Sequence, residues 1–236
     1  MKALQVITLG EPIDSLTLVD TLEPVPGPGQ VAIRILAAAG NFPDVLMCRG
    51  QYQVRPDLPF VPGVEGCGMV TGVGEGVDPT LIGQRIIGGT ELPHGSFAEV
   101  AIMPADQIYV APASLDDAQA SALLVGYQTG WFALHRRARI QPGETLLVHA
   151  AAGGVGSAAV ELGKAAGATV IAVVGSEAKR ATAQALGADL VVDRSTEDFV
   201  SIVKDATNGR GADVIFDPVG GETYRKSTKC IAFEGR

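Results

Sequence analysis

Near the middle of the chain, Ala151-Ala152-Gly153-Gly154-Val155-Gly156 has residue types and spacing suited to holding a phosphate group. It joins a short apolar run, Leu146 to His149, to an Ala-rich stretch of helical period from about Gly154 to Ala166. A glycine turn in that setting lets the backbone approach a pyrophosphate, and the N–H groups that open the helix point at its charge. Gly153 serves the close approach and Gly156 the tight packing of helix on strand. Ala152, Gly154 and Val155 complete the turn. Ala151 stands where GxGxxG has its first glycine, so this is a variant whose weight comes from its strand–turn–helix setting. The bland alternative is a glycine turn that serves structure alone.

The next strand end bears on which dinucleotide is held. Folds that take NADH place Asp or Glu there for the ribose 2′-hydroxyl. Here Gly175 and Ser176 occupy that point, with Lys179 and Arg180 in the first turns of the following helix. A missing carboxylate spares a 2′-phosphate repulsion, and nearby cations neutralise it, which favours NADPH. Against this stands a simple solvated helix face.

The elements around these residues change character along the chain. Residues 1–120 read as a unit rich in strands, at Ala3–Thr8, Leu16–Val19, Val31–Ala37 and Phe97–Ile102, with Gly and Pro between them. Glycines at Gly68, Gly72, Gly74 and Gly76 suit tightly bent strands in a compact, partly closed β domain. Residues 121–236 alternate. Strands are predicted at Thr145–His149, Thr169–Val174, Leu190–Val192 and Val214–Phe216. Helices are predicted from about Gly154 to Ala166, Glu177 to Leu186, Thr196 to Thr207 and Glu222 to Cys230. That is the pattern of a doubly wound parallel sheet. Ahead of it, Ser114 is the expected N-cap of a helix reaching Leu124, and Thr129 to Arg137 is expected to form another. Phe233 to Arg236 reads as a loop about to enter a further strand, so the second unit looks truncated at its C-terminus.

Composition narrows the classes. The formal net charge is -8, and no dense basic run appears, which argues against nucleic acid as a partner. The 3 cysteines, Cys48, Cys67 and Cys230, are far apart, so neither a disulfide framework nor a zinc finger is expected. No apolar stretch is long enough to span a bilayer. A cytoplasmic location is the expectation.

Taken together, Asn41-Phe42-Pro43-Asp44, Pro59-Phe60-Val61-Pro62-Gly63-Val64-Glu65-Gly66, Tyr127-Gln128-Thr129, Ala150 to Gly156 and Gly187-Ala188-Asp189 resemble the zinc-free quinone oxidoreductase branch of the medium-chain dehydrogenase/reductase superfamily. The resemblance implies an α/β protein in which a GroES-like, partly closed β-barrel catalytic domain precedes a Rossmann domain. It implies NADPH as cofactor and a homodimer. Zinc-dependent relatives have Cys near Asn41 and Gly-His-Glu near Gly63-Val64-Glu65, so no metal is expected here. A catalytic zinc needs three protein ligands, and His94, His135 and His149 belong to no credible set. In relatives the substrate and nicotinamide lie between the domains, and by resemblance Asn41, Tyr52 and Thr129 line that place. Asn41 either bonds a substrate carbonyl or nicotinamide ribose, or caps its helix. Tyr52 either orients or protonates substrate, or packs in a loop. Thr129 either meets the nicotinamide end or caps its own helix. The family pattern often has Tyr after the acid ending the third strand of the alternating region; here Asp193 is followed by Arg194, which can still contact a 2′-phosphate.

The reaction so implied is metal-free hydride transfer from NADPH to a small electrophile, a quinone or an α,β-unsaturated carbonyl. The rivals are an enoyl-thioester reductase of the same superfamily and a non-catalytic, NADPH-binding regulatory protein.

Overall fold

The computed structural model describes residues 1–236, which divide into two units, Met1–Val125 and Gly126–Arg236. In the first, β1 (Lys2–Val6) and β2 (Leu16–Asp20) form an antiparallel pair around a short helix, α1 (Pro12–Ser15). There follow β3 (Gln30–Ala38), α2 (Phe42–Cys48), β4 (Glu65–Val73), β5 (Arg85–Gly89), β6 (Val100–Pro104), β7 (Ile108–Val110) and α3 (Asp117–Ser121). The five strands after β2 make an antiparallel sheet in the order β6-β3-β4-β5-β7. Bridges from Ala3 to Ala98 and Val6 to Phe60 fold β1 onto it, so closure is partial.

Alternation decides which residues of these strands form the core. Val31, Ile33, Val70, Ile86 and Met103 interdigitate in one buried cluster, and Cys67, Ile87, Ala111 and Ala120 in another. Gly68 shows why β4 is glycine-rich. A Cβ there would overlap the Arg34 carbonyl oxygen and lie 3.0 Å from its carbon. The backbone of β3 comes too close for any side chain, and its register with β4 shifts beside that point, between Ile35 and Ala37.

The second unit begins within α4 (Leu123–Trp131), which runs into a π-helical turn, Phe132–Arg137. Then come β8 (Thr145–His149), α5 (Gly154–Ala165), β9 (Thr169–Val174), α6 (Arg180–Ala185), β10 (Leu190–Asp193), α7 (Phe199–Ala206), β11 (Val214–Phe216) and α8 (Glu222–Ser227). All four strands are parallel, ordered β10-β9-β8-β11. Leu146 and Val148 pack with Ala159 and Val160 of α5 and Ala183 of α6. Leu147, Ile171 and Val173 pack with Phe199 and Val203 of α7. Successive β8 residues point to opposite faces, so helices cover both faces of a doubly wound sheet.

Several elements differ from the sequence expectation. The first helix of the central region is capped by Asp116, whose side chain accepts from Gln119 N, and not by Ser114. That helix packs on β3 and β4, so it belongs to the first unit and the division falls after Val125. α4 starts at Leu123, ahead of Thr129. A 3-10 turn, Glu177–Lys179, precedes a shortened α6. The final residues pair alongside β11: Arg236 N donates to Asp213 O at 2.9 Å, and Ile215 N donates to Arg236 O at 2.8 Å. Cys48, Cys67 and Cys230 are all free and buried, in three separate clusters. No helix is long and apolar enough to cross a membrane.

Candidate functional site

The turn after β8 is built by its own backbone. Ala151 N donates to Val173 O at 3.1 Å, tying the turn to β9, and Gly153 N donates to Ala150 O at 2.8 Å. Ala150 takes a φ of 50°, the left-handed region, to start the reversal. The first helical bond of α5 is Ser157 N to Gly153 O, 2.8 Å. The N–H groups of Gly154, Val155 and Gly156 therefore precede it, at the positive end of a 12-residue helix. A Cβ on Gly156 would overlap Ala150 O and lie 2.8 Å from its carbonyl carbon, so helix and strand meet only through glycine. Gly154 has nothing within 4 Å of such a Cβ, and both Gly153 and Gly154 are exposed. The tip of the helix is thus open at Gly153 and Gly154, with Val155 half-buried and Gly156 buried behind them. Ala152 is half-buried in the same turn.

At the ends of β9 and β10, Gly175 and Arg194 come together. A Cβ on Gly175 would sit 3.8 Å from Arg194 Nε and 3.9 Å from its Nη2. Arg194 is held there by its backbone, since its N–H donates to Val174 O at 3.1 Å. Asp193 fixes the turn by accepting from Ser195 N at 2.9 Å and Ser195 Oγ at 2.7 Å. Those bonds hold the Asp193 carboxyl below its ordinary range. Ser176 opens the following turn, and Lys179 is exposed in it. Arg180 has a different role from the one its position suggested. It pairs with Glu177 and Glu197 and donates to Val191 O, so its guanidinium is committed to holding α6 to β10.

His149 ends β8 and is 1% exposed. Ser227 Oγ gives its hydrogen to Thr223 O at 2.8 Å, so at 2.9 Å it accepts from His149 Nε2–H. Nδ1 is left buried and without a partner. Phe199 packs edge-on against the ring at 4.8 Å. Burial pushes the imidazole down to about 4, so it stays neutral.

In the first unit, three side chains around the start of α2 interlock. Asp44 accepts from Asn41 N at 2.7 Å, Gly63 N at 2.9 Å and Val64 N at 3.1 Å. Glu65 accepts from Asn41 Nδ2 and from Val125 N, each at 2.8 Å. Both carboxylates are buried, and desolvation pushes both above their ordinary range. Asn41 lines a cavity of about 430 Å³ with Gly40, Phe42, Leu16 and Phe97. Asn41 is the N-cap of α2, as one of its two sequence readings has it, in a capping box with Asp44, and its main-chain oxygen also accepts from Asp44 N at 3.1 Å. Tyr52 is half-buried against Val6, Met47, Cys48 and Phe60. Thr129 is exposed in the interior of α4 and caps nothing.

The residues singled out from sequence, Thr129 of α4 aside, thus fall into two groups. The glycine turn, Gly175, Ser176, Lys179 and Arg194 lie at the carboxyl ends of β8, β9 and β10. Asn41 and Tyr52 lie around α2. Asp44 and Glu65 stood inside recognised motifs without a role; two acids beside an Asn and paired glycines were the only signal. No group of three or more His, Cys, Asp or Glu side chains is placed to hold a metal ion.

A family model described as "Alcohol dehydrogenase GroES-like domain" matches residues 27–113, and one described as "Zinc-binding dehydrogenase" matches 154–236. A quinone oxidoreductase-like protein 2 homolog of Nematostella vectensis is 40% identical over 210 residues, covering 89% of this chain. The match takes in 57% of that protein's own length. The quinone oxidoreductase of Pseudomonas syringae pv. tomato DC3000 superposes with a TM-score of 0.89 at 38% identity, over 99% of this chain and 71% of that one. Escherichia coli quinone oxidoreductase, solved in complex with NADPH, gives 0.90 at 32% identity, over 100% and 71%.

Proposed function

The chain belongs to the quinone-oxidoreductase branch of the medium-chain dehydrogenase/reductase superfamily, and from that premise we propose that it is an NADPH-dependent reductase of small organic acceptors, quinones or α,β-unsaturated carbonyls. The observation that carries this is the open glycine turn. Gly156 admits no side chain, Gly153 and Gly154 are exposed, and the N–H groups of Gly154, Val155 and Gly156 precede the first helical bond of α5. A pyrophosphate is the ligand such a helix tip fits.

Arg194 supports the choice of NADPH. Its guanidinium lies beside Gly175, where a fold selecting NADH has a carboxylate. A planar guanidinium suits a 2′-phosphate bidentately, and Lys179 adds charge nearby. The Escherichia coli relative, solved with NADPH, points the same way. Bound on this turn, NADPH supplies the hydride, and the chain's own residues position and polarise. Asn41, Tyr52 and Thr129 are the proposed contacts at the reacting end. The Tyr52 hydroxyl or solvent delivers the proton that completes reduction. No metal is needed for hydride transfer to an acceptor that is already electron-poor.

The test is to titrate the protein with NADPH and NADH, then follow NADPH absorbance with a small naphthoquinone and a small enone. NADPH is expected to bind at least about tenfold more tightly, the factor that a charge-assisted pair of about 1.4 kcal/mol gives. Tighter NADH binding would overturn the assignment of Arg194. Binding with no turnover on either acceptor would overturn the reductase.

A further inference from the structure

The hydrogen bonds of Asn41 decide which end of its amide a ligand meets. Its Nδ2 donates to Glu65 Oε1 at 2.8 Å and leans on Ala39 O at 3.4 Å. Its main-chain N–H goes to Asp44 Oδ2 at 2.7 Å. Every donor of the residue is therefore spent inside the protein. Oδ1 turns towards the first turn of α2 as the side-chain half of a capping box with Asp44 N–H, a hydrogen that the main-chain oxygen of Asn41 shares at 3.1 Å, and an amide oxygen so placed keeps a second lone pair for a ligand. Oδ1 is not among the atoms sealed from solvent without a partner. Glu65 enforces this polarity. It is 1% exposed, its second oxygen is pinned by Val125 N, and an ionised carboxylate only accepts.

We infer that Glu65 is a positioning residue that locks the Asn41 amide, so that Asn41 meets a bound ligand as an acceptor for a hydroxyl donor and not as a donor to a carbonyl oxygen. This rests on the reading above that Asn41 contacts a ligand of the reaction. It also chooses between the two ligand contacts open to Asn41 in the sequence, a substrate carbonyl and a ribose. An unreduced quinone or enone offers only acceptor oxygens and has no match for Oδ1. Hydroxyl donors come from two sources, the riboses of NADPH and the hydroquinone product.

The lock can be reversed. In Glu65→Gln, Val125 N–H keeps the side-chain oxygen, so the new NH2 faces Asn41 and turns its amide round. Adding Asn41→Asp to that variant restores the acceptor: one carboxylate oxygen takes the Gln NH2 and the other faces the ligand, at unchanged total charge. The measurements, on the full chain, are the dissociation constant for NADPH, inhibition by 1,4-naphthohydroquinone, and KM for the matching quinone. Glu65→Gln should weaken NADPH or hydroquinone binding by about tenfold, whichever supplies the hydroxyl, with quinone KM within about twofold. The double variant should return to within about threefold of wild type. Unchanged binding of both molecules in Glu65→Gln overturns the inference, as does a loss that Asn41→Asp fails to recover. Independently of any ligand, NMR should find the Asn41 side-chain amide protons protected from exchange in wild type. Finding them unprotected overturns the lock even if Glu65→Gln does not fold. A wild-type protein that binds no NADPH would instead sink the proposed function and leave the exchange result to decide the lock.

Discussion

Individual cations show where sequence and structure part company. Lys179, Arg180 and Arg194 are equivalent in the sequence as positive charges near a strand end. Burial and pairing sort them: Arg180 is held by Glu177, Glu197 and Val191 O, while Arg194 has its guanidinium beside Gly175 and no ion pair. Replacing Arg194 with Ala should therefore weaken NADPH binding by about tenfold and leave NADH nearly unchanged, measured by parallel titrations. Equal weakening of both cofactors would remove the 2′-phosphate assignment. Glu65 was illegible for a related reason. A single glutamate carries no mark of its depth, and only the fold brings Asn41 and Val125 N to its two oxygens.

Elements were legible in proportion to how local their causes are. β8, β9 and β11 begin and end where the sequence places them, because runs such as Val170-Ile171-Ala172-Val173 are apolar on both faces and bounded by Gly or polar residues. Helix ends depended on which side chain wins the cap. Asp116 prevails over Ser114 because Gln119 lies three residues on and completes a reciprocal pair of bonds. The start of α4 at Leu123 has no such polar signal, and Thr129 is the next residue along the chain that reads as a helix start. The glycine turn was readable, but the reason for Gly156 is tertiary: the carbonyl of Ala150 occupies the space a side chain would need. Gly156→Ala should cost about 1–3 kcal/mol of stability from backbone overpacking, seen as a lower Tm, and should weaken dinucleotide binding. An unchanged Tm would mean that the strand–helix contact is looser than the backbone geometry requires.

For the molecule as a whole, acid stability depends on groups whose protonation differs between folded and unfolded chain. His149 takes up a proton near its ordinary 6.5 when unfolded but only at about 4 when folded. Within that window the unfolded chain binds the extra proton, so acidification from pH 6.5 to 4 removes up to about 3 kcal/mol of stability. Asp44 and Glu65, raised by burial, act in the opposite direction: their contribution is present at low pH and lost as pH rises through their folded values. Comparing wild type with His149→Leu isolates the histidine. The variant should lose stability less steeply between pH 6.5 and 4 in denaturant titrations, and identical slopes would count against a buried neutral imidazole. The three buried thiols carry a different consequence. Desolvation raises the pKa of each, that of Cys230 to about 11, so none offers an exposed thiolate. Quinones and enones are Michael acceptors that alkylate nucleophilic sulfur, and a chain arranged in this way is spared inactivation by the compounds it is proposed to consume.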